Sequence, residues 1–171
     1  MLSTSSFLSF IMDNSHASMT KICILIVDDQ PSLRHVLHAY LRPLHWINIV
    51  GEVSTGQEAI DTTRALAPDI ALMDSHLPDM SGIYATKNIL HDRPRIHVIF
   101  CSEERNSLMM QEAFDPGAQG FIWKATNGIE LKNAIRRVQN GNQYIDPVFR
   151  HTHQKSTFNQ VKGNDPNALS R

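Results

Sequence analysis

Apolar positions recur along the chain in two alternating rhythms. Ile22-Cys-Ile-Leu-Ile-Val27 is an unbroken apolar run rich in β-branched side chains, and it predicts a strand buried inside a parallel sheet. It ends in Asp28-Asp29, and Pro31 stands where the first helical residue belongs. Leu33, Val36, Leu37, Tyr40 and Leu41 then follow at helical spacing until Pro43. Trp46 to Val53 predicts a second strand. Thr55 and Glu58 form a capping-box signature that opens a helix carrying Ala59, Ile60 and Leu66, which stops before Pro68. Ile70 to Met73 predicts strand three, and a helix starting near Ser81 carries Ile83, Ile89 and Leu90. Ile96 to Cys101 predicts strand four, ending at Ser102. A fourth helix carries Leu108, Met109, Ala113 and Phe114 and closes at Pro116-Gly117. Gly120 to Trp123 predicts strand five, ending at Lys124. The fifth helix carries Leu131, Ala134, Ile135 and Val138, with Gly141 as its C-terminal cap.

Five strands alternating with five helices imply βαβ units and an α/β fold whose parallel sheet is covered on both faces. Right-handed crossovers leave few topologies, and five strands fit a flavodoxin-like, doubly wound (βα)5 sheet in the order 2-1-3-4-5. The pattern dissolves after Pro147. Residues 148–171 are polar, with Gly163 and Pro166, and predict a flexible tail. Residues 1–20 hold one short apolar cluster, Phe7 to Met12, with no basic residue before it, and predict a disordered leader. The domain itself is expected over residues 21–147.

Composition narrows the class. Of 171 residues, 42% are hydrophobic and 19% charged, as in ordinary globular proteins. A formal net charge of −1 gives no electrostatic reason to expect nucleic acid or an anionic membrane as a partner. No apolar run is long enough to span a bilayer. Cys23 and Cys101 both fall in apolar runs, which suits small core residues of a reduced, cytoplasmic protein. His151 and His153 have no third ligand nearby, so chance spacing explains them better than a metal does.

The strand ends carry the chemistry. In the order 2-1-3-4-5, strands one, three, four and five are neighbours, so Asp28, Asp29, Asp74, Ser102 and Lys124 meet at the carboxyl edge, where open α/β sheets bind ligands. Carboxylates that close repel one another by about 4 kcal/mol per pair at an effective dielectric of ~20. Either one acid has a raised pKa or a hard divalent cation sits among them. An incomplete shell of carboxylate oxygens suits Mg2+ and a phosphate. A hydroxyl and an ammonium opposite would hold phosphoryl oxygens. Asp74, single, central and followed by a Pro-containing loop, is the best candidate nucleophile toward phosphorus.

Four stretches together resemble the receiver domain of bacterial two-component response regulators. They are Val27-Asp28-Asp29, Asp74-x-x-Leu-Pro78-x-x-x-Gly82, Ser102 and Gly117-Ala-x-Gly120-Phe121-x-x-Lys124. The resemblance covers roughly Lys21 to Pro147. It implies that Asp74 accepts a phosphoryl group from a sensor histidine kinase or phosphotransfer protein. It implies that Asp28 and Asp29 hold Mg2+, with Asp74 and the backbone carbonyl of His76 as further ligands. Ser102 and Lys124 would bind the phosphoryl group, and Phe121 would turn inward as Ser102 moves, giving a packing switch driven by a local charge change. The output would be a contact with a downstream protein at the face formed by helix four, strand five and helix five, with a homodimer left open.

Three positions depart from the family pattern. Glu103 follows Ser102 and Pro116 precedes Gly117, both where a small residue is usual, and His76 stands two residues after Asp74. Glu103 would crowd or repel a phosphoryl group at the pocket mouth. The ending Gly141-x-x-Tyr144-Ile-Asp-Pro147 resembles receivers followed by a helix-turn-helix domain, yet the residues after Pro147 are too few for one, so direct DNA binding is not expected. A stand-alone receiver, a truncated remnant of a DNA-binding regulator, and a phosphorylation-independent pseudo-receiver all remain open. Two enzyme readings fit worse. A flavin site would not place Asp28-Asp29 after strand one, and an aspartyl-phosphate hydrolase would want an acid at position 76.

Overall fold

The computed structural model describes residues 20–104 and 107–149. The elements run β1 (Ile22–Val27), α1 (Pro31–Leu41), β2 (Ile47–Val53), α2 (Gly56–Leu66), β3 (Ile70–Asp74), α3 (Gly82–Asp92), β4 (His97–Ser102), α4 (Ser107–Phe114), β5 (Gly120–Trp123), α5 (Gly128–Gln139) and β6 (Tyr144–Ile145). The sheet order is β2-β1-β3-β4-β5-β6, and every pairing is parallel. The flavodoxin-like (βα)5 order expected from the sequence is therefore present, with one short strand added at its edge.

Each face of the sheet carries its own core. Leu37 and Leu41 of α1 join Leu131, Ala134, Ile135 and Val138 of α5 against Ile24, Ile26, Leu72 and Ile99. On the other face α2, α3 and α4 bring Ala59, Ile60, Ala85, Ile89, Met110 and Ala113 onto Leu25, Val27, Met73 and Phe100. Strand β3 sits between β1 and β4, and all five of its residues are buried. That position explains why its sequence is apolar on both faces up to Asp74.

Helix ends follow local chemistry. Thr55 Oγ1 accepts from Glu58 N while the Glu58 carboxylate accepts from Thr55 N, completing the expected capping box of α2. Ser81 and Asn127 cap α3 and α5 through their side chains. The α2 helix ends on Ala67, a left-handed residue with φ 44° whose amide donates to the Thr63 carbonyl.

Three expectations need correction. Val36, Tyr40 and Leu66 were expected in the apolar stripes of their helices, yet each is more than two-fifths exposed. In α1 the row Leu33, Leu37, Leu41, four residues apart, faces the sheet and leaves the other two on its flank. In α4 the buried positions are Met110 and Ala113, whereas Leu108 is exposed. Cys23 is only half-buried, near the start of the strand, while Cys101 is buried; both are free thiols.

The packed region also runs past Pro147. Tyr144 and Ile145 pair with Gly120 and Phe121, and Phe149, at the start of the expected tail, is fully buried. Residues 150–171 of that tail and 1–19 of the leader expected over 1–20 lie outside the described residues. No described helix is long and apolar enough to cross a membrane.

Candidate functional site

The carboxyl ends of β1, β3 and β5 bring three of the predicted groups together. Lys124, just past β5, extends its ammonium between two acids. Its Nζ lies 2.7 Å from Asp74 Oδ2 and 2.9 Å from Asp28 Oδ2. The side chains of Lys124, Asp28 and Asp74 are 6%, 2% and 2% exposed. A lysine this buried is held by its partners rather than by water.

The remaining carboxylate oxygens meet backbone donors. Asp28 Oδ1 accepts from Gln30 N at 2.8 Å, and Asp74 Oδ1 accepts from His76 N at 3.1 Å. Asp29 is exposed beside them. One oxygen from each of Asp28, Asp29 and Asp74 falls within 4.8 Å of the others. These are hard oxygen donors on three strand-end carboxylates, the donor set that suits Mg2+. Two buried carboxylates share one ammonium, so negative charge is in excess even before Asp29 is counted.

The protonation tendencies follow from that imbalance. Burial pushes the Asp74 carboxyl above the usual aspartate range, against the pull of the Lys124 hydrogen bond and the His76 amide; the nearby Asp28 charge pushes the same way as burial. For Lys124, burial pulls the ammonium down, but hydrogen bonds to Asp74 and Asp28 outweigh it and hold it above the usual lysine range. The two directions look opposed, one favouring a neutral Asp74 and the other a charged Lys124. They agree once the charges are counted: one cation cannot satisfy two buried anions.

The loop after Asp74 is pinned at three places. Gly82 N donates to Ser75 O at 2.9 Å, and His76 bridges to Ser81. Gly82 has to be glycine, because a Cβ there would stand 1.9 Å from the Asp74 carbonyl oxygen. Asp79 reaches the N-terminus of α2, accepting from Gly56 N at 2.8 Å and Gln57 N at 2.9 Å. The loop that follows Asp74 is thus tied to the N-terminus of α2 through Asp79.

Ser102 and Phe121 are placed differently from the acids and Lys124. Ser102 is fully buried at the end of β4, but its Oγ bonds with the Glu104 backbone, donating to the carbonyl at 3.2 Å and accepting from the amide at 3.1 Å. It makes no hydrogen bond to Asp74 or Lys124 among the described residues. Phe121 is also fully buried and turned inward while Ser102 stays with its own loop. The ring of Phe149 packs edge-on against it, which holds the inward position without any movement of Ser102.

Three participants escaped sequence reasoning. Gln30 Nε2 donates to Glu103 Oε1 at 2.9 Å across the mouth of the site, and Asp79 anchors the loop. Phe149 backs the aromatic on β5. The first two are polar residues in loops, where spacing gives no signal. Phe149 had one: an apolar pair, Val148-Phe149, directly after Asp146-Pro147.

Comparison with known proteins agrees with the geometry. The family model described as the response regulator receiver domain matches residues 24–136. The chain is 33% identical over 126 residues to the response regulator protein VraR of Staphylococcus aureus, covering 74% of this chain and 60% of that protein. The VraR of Staphylococcus epidermidis is 32% identical over the same length. The chain thus spans about 60% of the length of these curated relatives. Among solved structures, a LuxR-family two-component response regulator from Aurantimonas sp. SI85-9A1 superposes with a TM-score of 0.75 at 26% identity, covering 84% of this chain and 100% of that one. The signal receiver domain of the response regulator NarL from Mycobacterium tuberculosis gives 0.69 at 26% identity, over 72% and 99%.

Proposed function

This chain belongs to the response regulator receiver domain family, and we propose from that premise that it is a phosphorylation-switched signalling module with Asp74 as its phosphoacceptor. The supporting observation is the carboxylate of Asp74 at the sheet edge, 2.7 Å from the Lys124 ammonium and within 4.8 Å of oxygens from Asp28 and Asp29. The donor would be a sensor histidine kinase or phosphotransfer protein, and the setting cytoplasmic.

Asp28, Asp29 and Asp74, with the backbone carbonyl of His76, would hold Mg2+. Bound there, Mg2+ would neutralise charge on phosphoryl oxygens and on the crowded acids. Among the chain's own groups, Asp74 is oriented by the His76 amide at one oxygen and by Lys124 at the other. Transfer forms a bond from an Asp74 carboxylate oxygen to phosphorus and breaks the bond from phosphorus to the donor's leaving group. Lys124 is positioned to follow the negative charge as it moves from Asp74 onto the phosphoryl oxygens. Ser102 would leave Glu104 to meet those oxygens, changing the β4–α4 loop and hence the face of α4, β5 and α5 that a downstream protein, or a second copy, would read.

Mass spectrometry after incubation with acetyl phosphate and Mg2+ tests this. An Mg2+-dependent single phosphoryl adduct in the wild type, absent in Asp74→Ala, is expected. A folded protein that never takes the adduct would be a constitutive interaction module instead. That second reading draws on one observation, the Glu103 carboxylate held 4.0 Å from Lys124.

A further inference from the structure

The mouth of the site is spanned by a side-chain bridge between two loops that are 73 residues apart in sequence. Gln30 Nε2, on the β1–α1 side, donates to Glu103 Oε1, on the β4–α4 side, at 2.9 Å. The same Oε1 lies 4.0 Å from Lys124 Nζ. Gln30 is the N-cap residue of α1, yet its side chain makes no capping bond and is committed to Glu103 instead. Glu103 is 62% exposed, whereas Lys124 beneath it is 6% exposed. The bridge is thus the outer layer of the site.

Lys124 meets three carboxylates. Two of them, on Asp28 and Asp74, are buried and fixed by backbone hydrogen bonds. Among the described residues, the third, on Glu103, is held by Gln30 and by its own approach to the ammonium. It is the member of the set that can leave.

We infer that Glu103, steered by Gln30, is a charge gate: its carboxylate covers the outer side of Lys124 and must swing away before a phosphoryl donor can approach that ammonium. The inference rests on the phosphoacceptor reading of Asp74. Glu103 forms no bond to phosphorus. With acetyl phosphate, the new bond is from Asp74 oxygen to phosphorus, the broken bond is from phosphorus to the acetyl oxygen, and acetate leaves with the electron pair. Glu103 acts earlier, by making approach of a doubly negative donor unfavourable and by competing with it for Lys124. It sets which donors enter and how readily, so its influence falls on the apparent KM for the donor rather than on the maximal transfer rate.

Three variants separate charge from the bridge. Glu103→Gln keeps an oxygen that can accept from Gln30 but removes the charge. Gln30→Ala keeps the charge but frees it. Glu103→Ala removes both. With acetyl phosphate and saturating Mg2+ at low ionic strength, Glu103→Gln is expected to lower the apparent KM about five- to tenfold, because an exposed like charge near the entry point is only partly screened. That gain should shrink to less than about twofold at 1 M salt, where the screening length is about 3 Å. Gln30→Ala, which keeps the charge but lets it move, should give a smaller gain that also shrinks at high salt. Glu103→Ala should equal or exceed Glu103→Gln. Urea unfolding midpoints close to the wild type would show that the fold is unchanged. If adduct forms on Asp74 but all four proteins share one KM within twofold at low salt, the gate is wrong and the phosphoacceptor reading stands. If no folded variant takes the adduct, the phosphoacceptor reading fails and the gate falls with it.

Discussion

The ring of Phe149 meets the ring of Phe121 edge-on, with centroids 4.9 Å apart and planes at 78°. Phe121 is on β5, and Phe149 follows β6, the short strand that pairs with it. Asp146 secures the join by donating its backbone N–H to the Phe121 carbonyl at 2.9 Å. The aromatic expected to move on activation is therefore backed by a residue from the C-terminal end of the packed region.

Truncation measures what that backing contributes. A chain ending at Pro147 loses Phe149, and so does the point variant Phe149→Ala in the full chain. Both should be destabilised by about 3 to 5 kcal/mol, the usual cost of deleting a buried phenylalanine side chain. Urea denaturation followed by tryptophan fluorescence, to which Trp46 and Trp123 both contribute, checks both, and midpoints equal to the wild type would mean that the contact carries no weight.

Lys124 is the sole ammonium facing the two buried acids among the described residues. Lys124→Ala leaves Asp28 and Asp74 as unpaired buried charges and should cost about 3 to 5 kcal/mol. The double variant Lys124→Ala with Asp74→Asn should recover part of that loss, because it removes half the stranded charge. A double-mutant cycle from chemical denaturation reads the coupling directly.

Asp74→Asn alone should stabilise the protein without Mg2+, by about 1 to 2 kcal/mol, because it leaves Asp28 and Lys124 as a balanced pair. The sign with pH follows from the raised pKa of Asp74. A carboxyl raised on folding costs stability at every pH above its folded value. As pH falls through that value the native state takes up the proton first, and the cost fades. Below the ordinary value of 3.8 both states are protonated and nothing remains. The advantage of the variant should thus be full at neutral pH, shrink on acidification and vanish below that point. A Tm series against pH in EDTA tests it. Adding Mg2+ should raise the wild-type Tm more than that of the variant.

Gly82→Ala probes the loop rather than the charges. The added methyl would sit 1.9 Å from the Asp74 carbonyl oxygen, so backbone must shift at the end of β3. Destabilisation above about 2 kcal/mol is expected, together with a loss of adduct yield under conditions where the remaining protein is folded. A variant that is less stable yet phosphorylated at the wild-type rate would show that the strand end relaxes without moving the carboxylate.

The parts of this molecule that periodicity governs were legible in its sequence, and those set by contacts between loops were not. The run Ile22–Val27 matches its strand residue for residue, and Thr55 with Glu58 announces a helix start that the hydrogen bonds bear out. Strand ends could be aligned because parallel topology leaves few orders, and so the meeting of Asp28, Asp74 and Lys124 followed from spacing alone. Short helices were harder. In an 11-residue helix such as α1 a stripe holds only three positions, and Val36 and Tyr40 at its flank look the same on paper as Leu37. Strand β6 is two residues long, too short for any alternation to show. Gln30 and Asp79 act through partners 22 to 73 residues away, and no local pattern encodes such reach.

The last strand also decides how the sheet meets other molecules. A parallel sheet that ended at β5 would present an open row of backbone donors and acceptors, ready to pair with a strand from a neighbouring chain. Here β6 occupies two rungs, the Asp146 carboxylate lies inward beside the Trp123 amide at 3.4 Å, and Pro147 has no amide hydrogen to offer. An approaching strand finds a buried acid and a ring where it needs a ladder. On this edge the four residues Tyr144 to Pro147 stand where a strand from another chain would otherwise pair with β5.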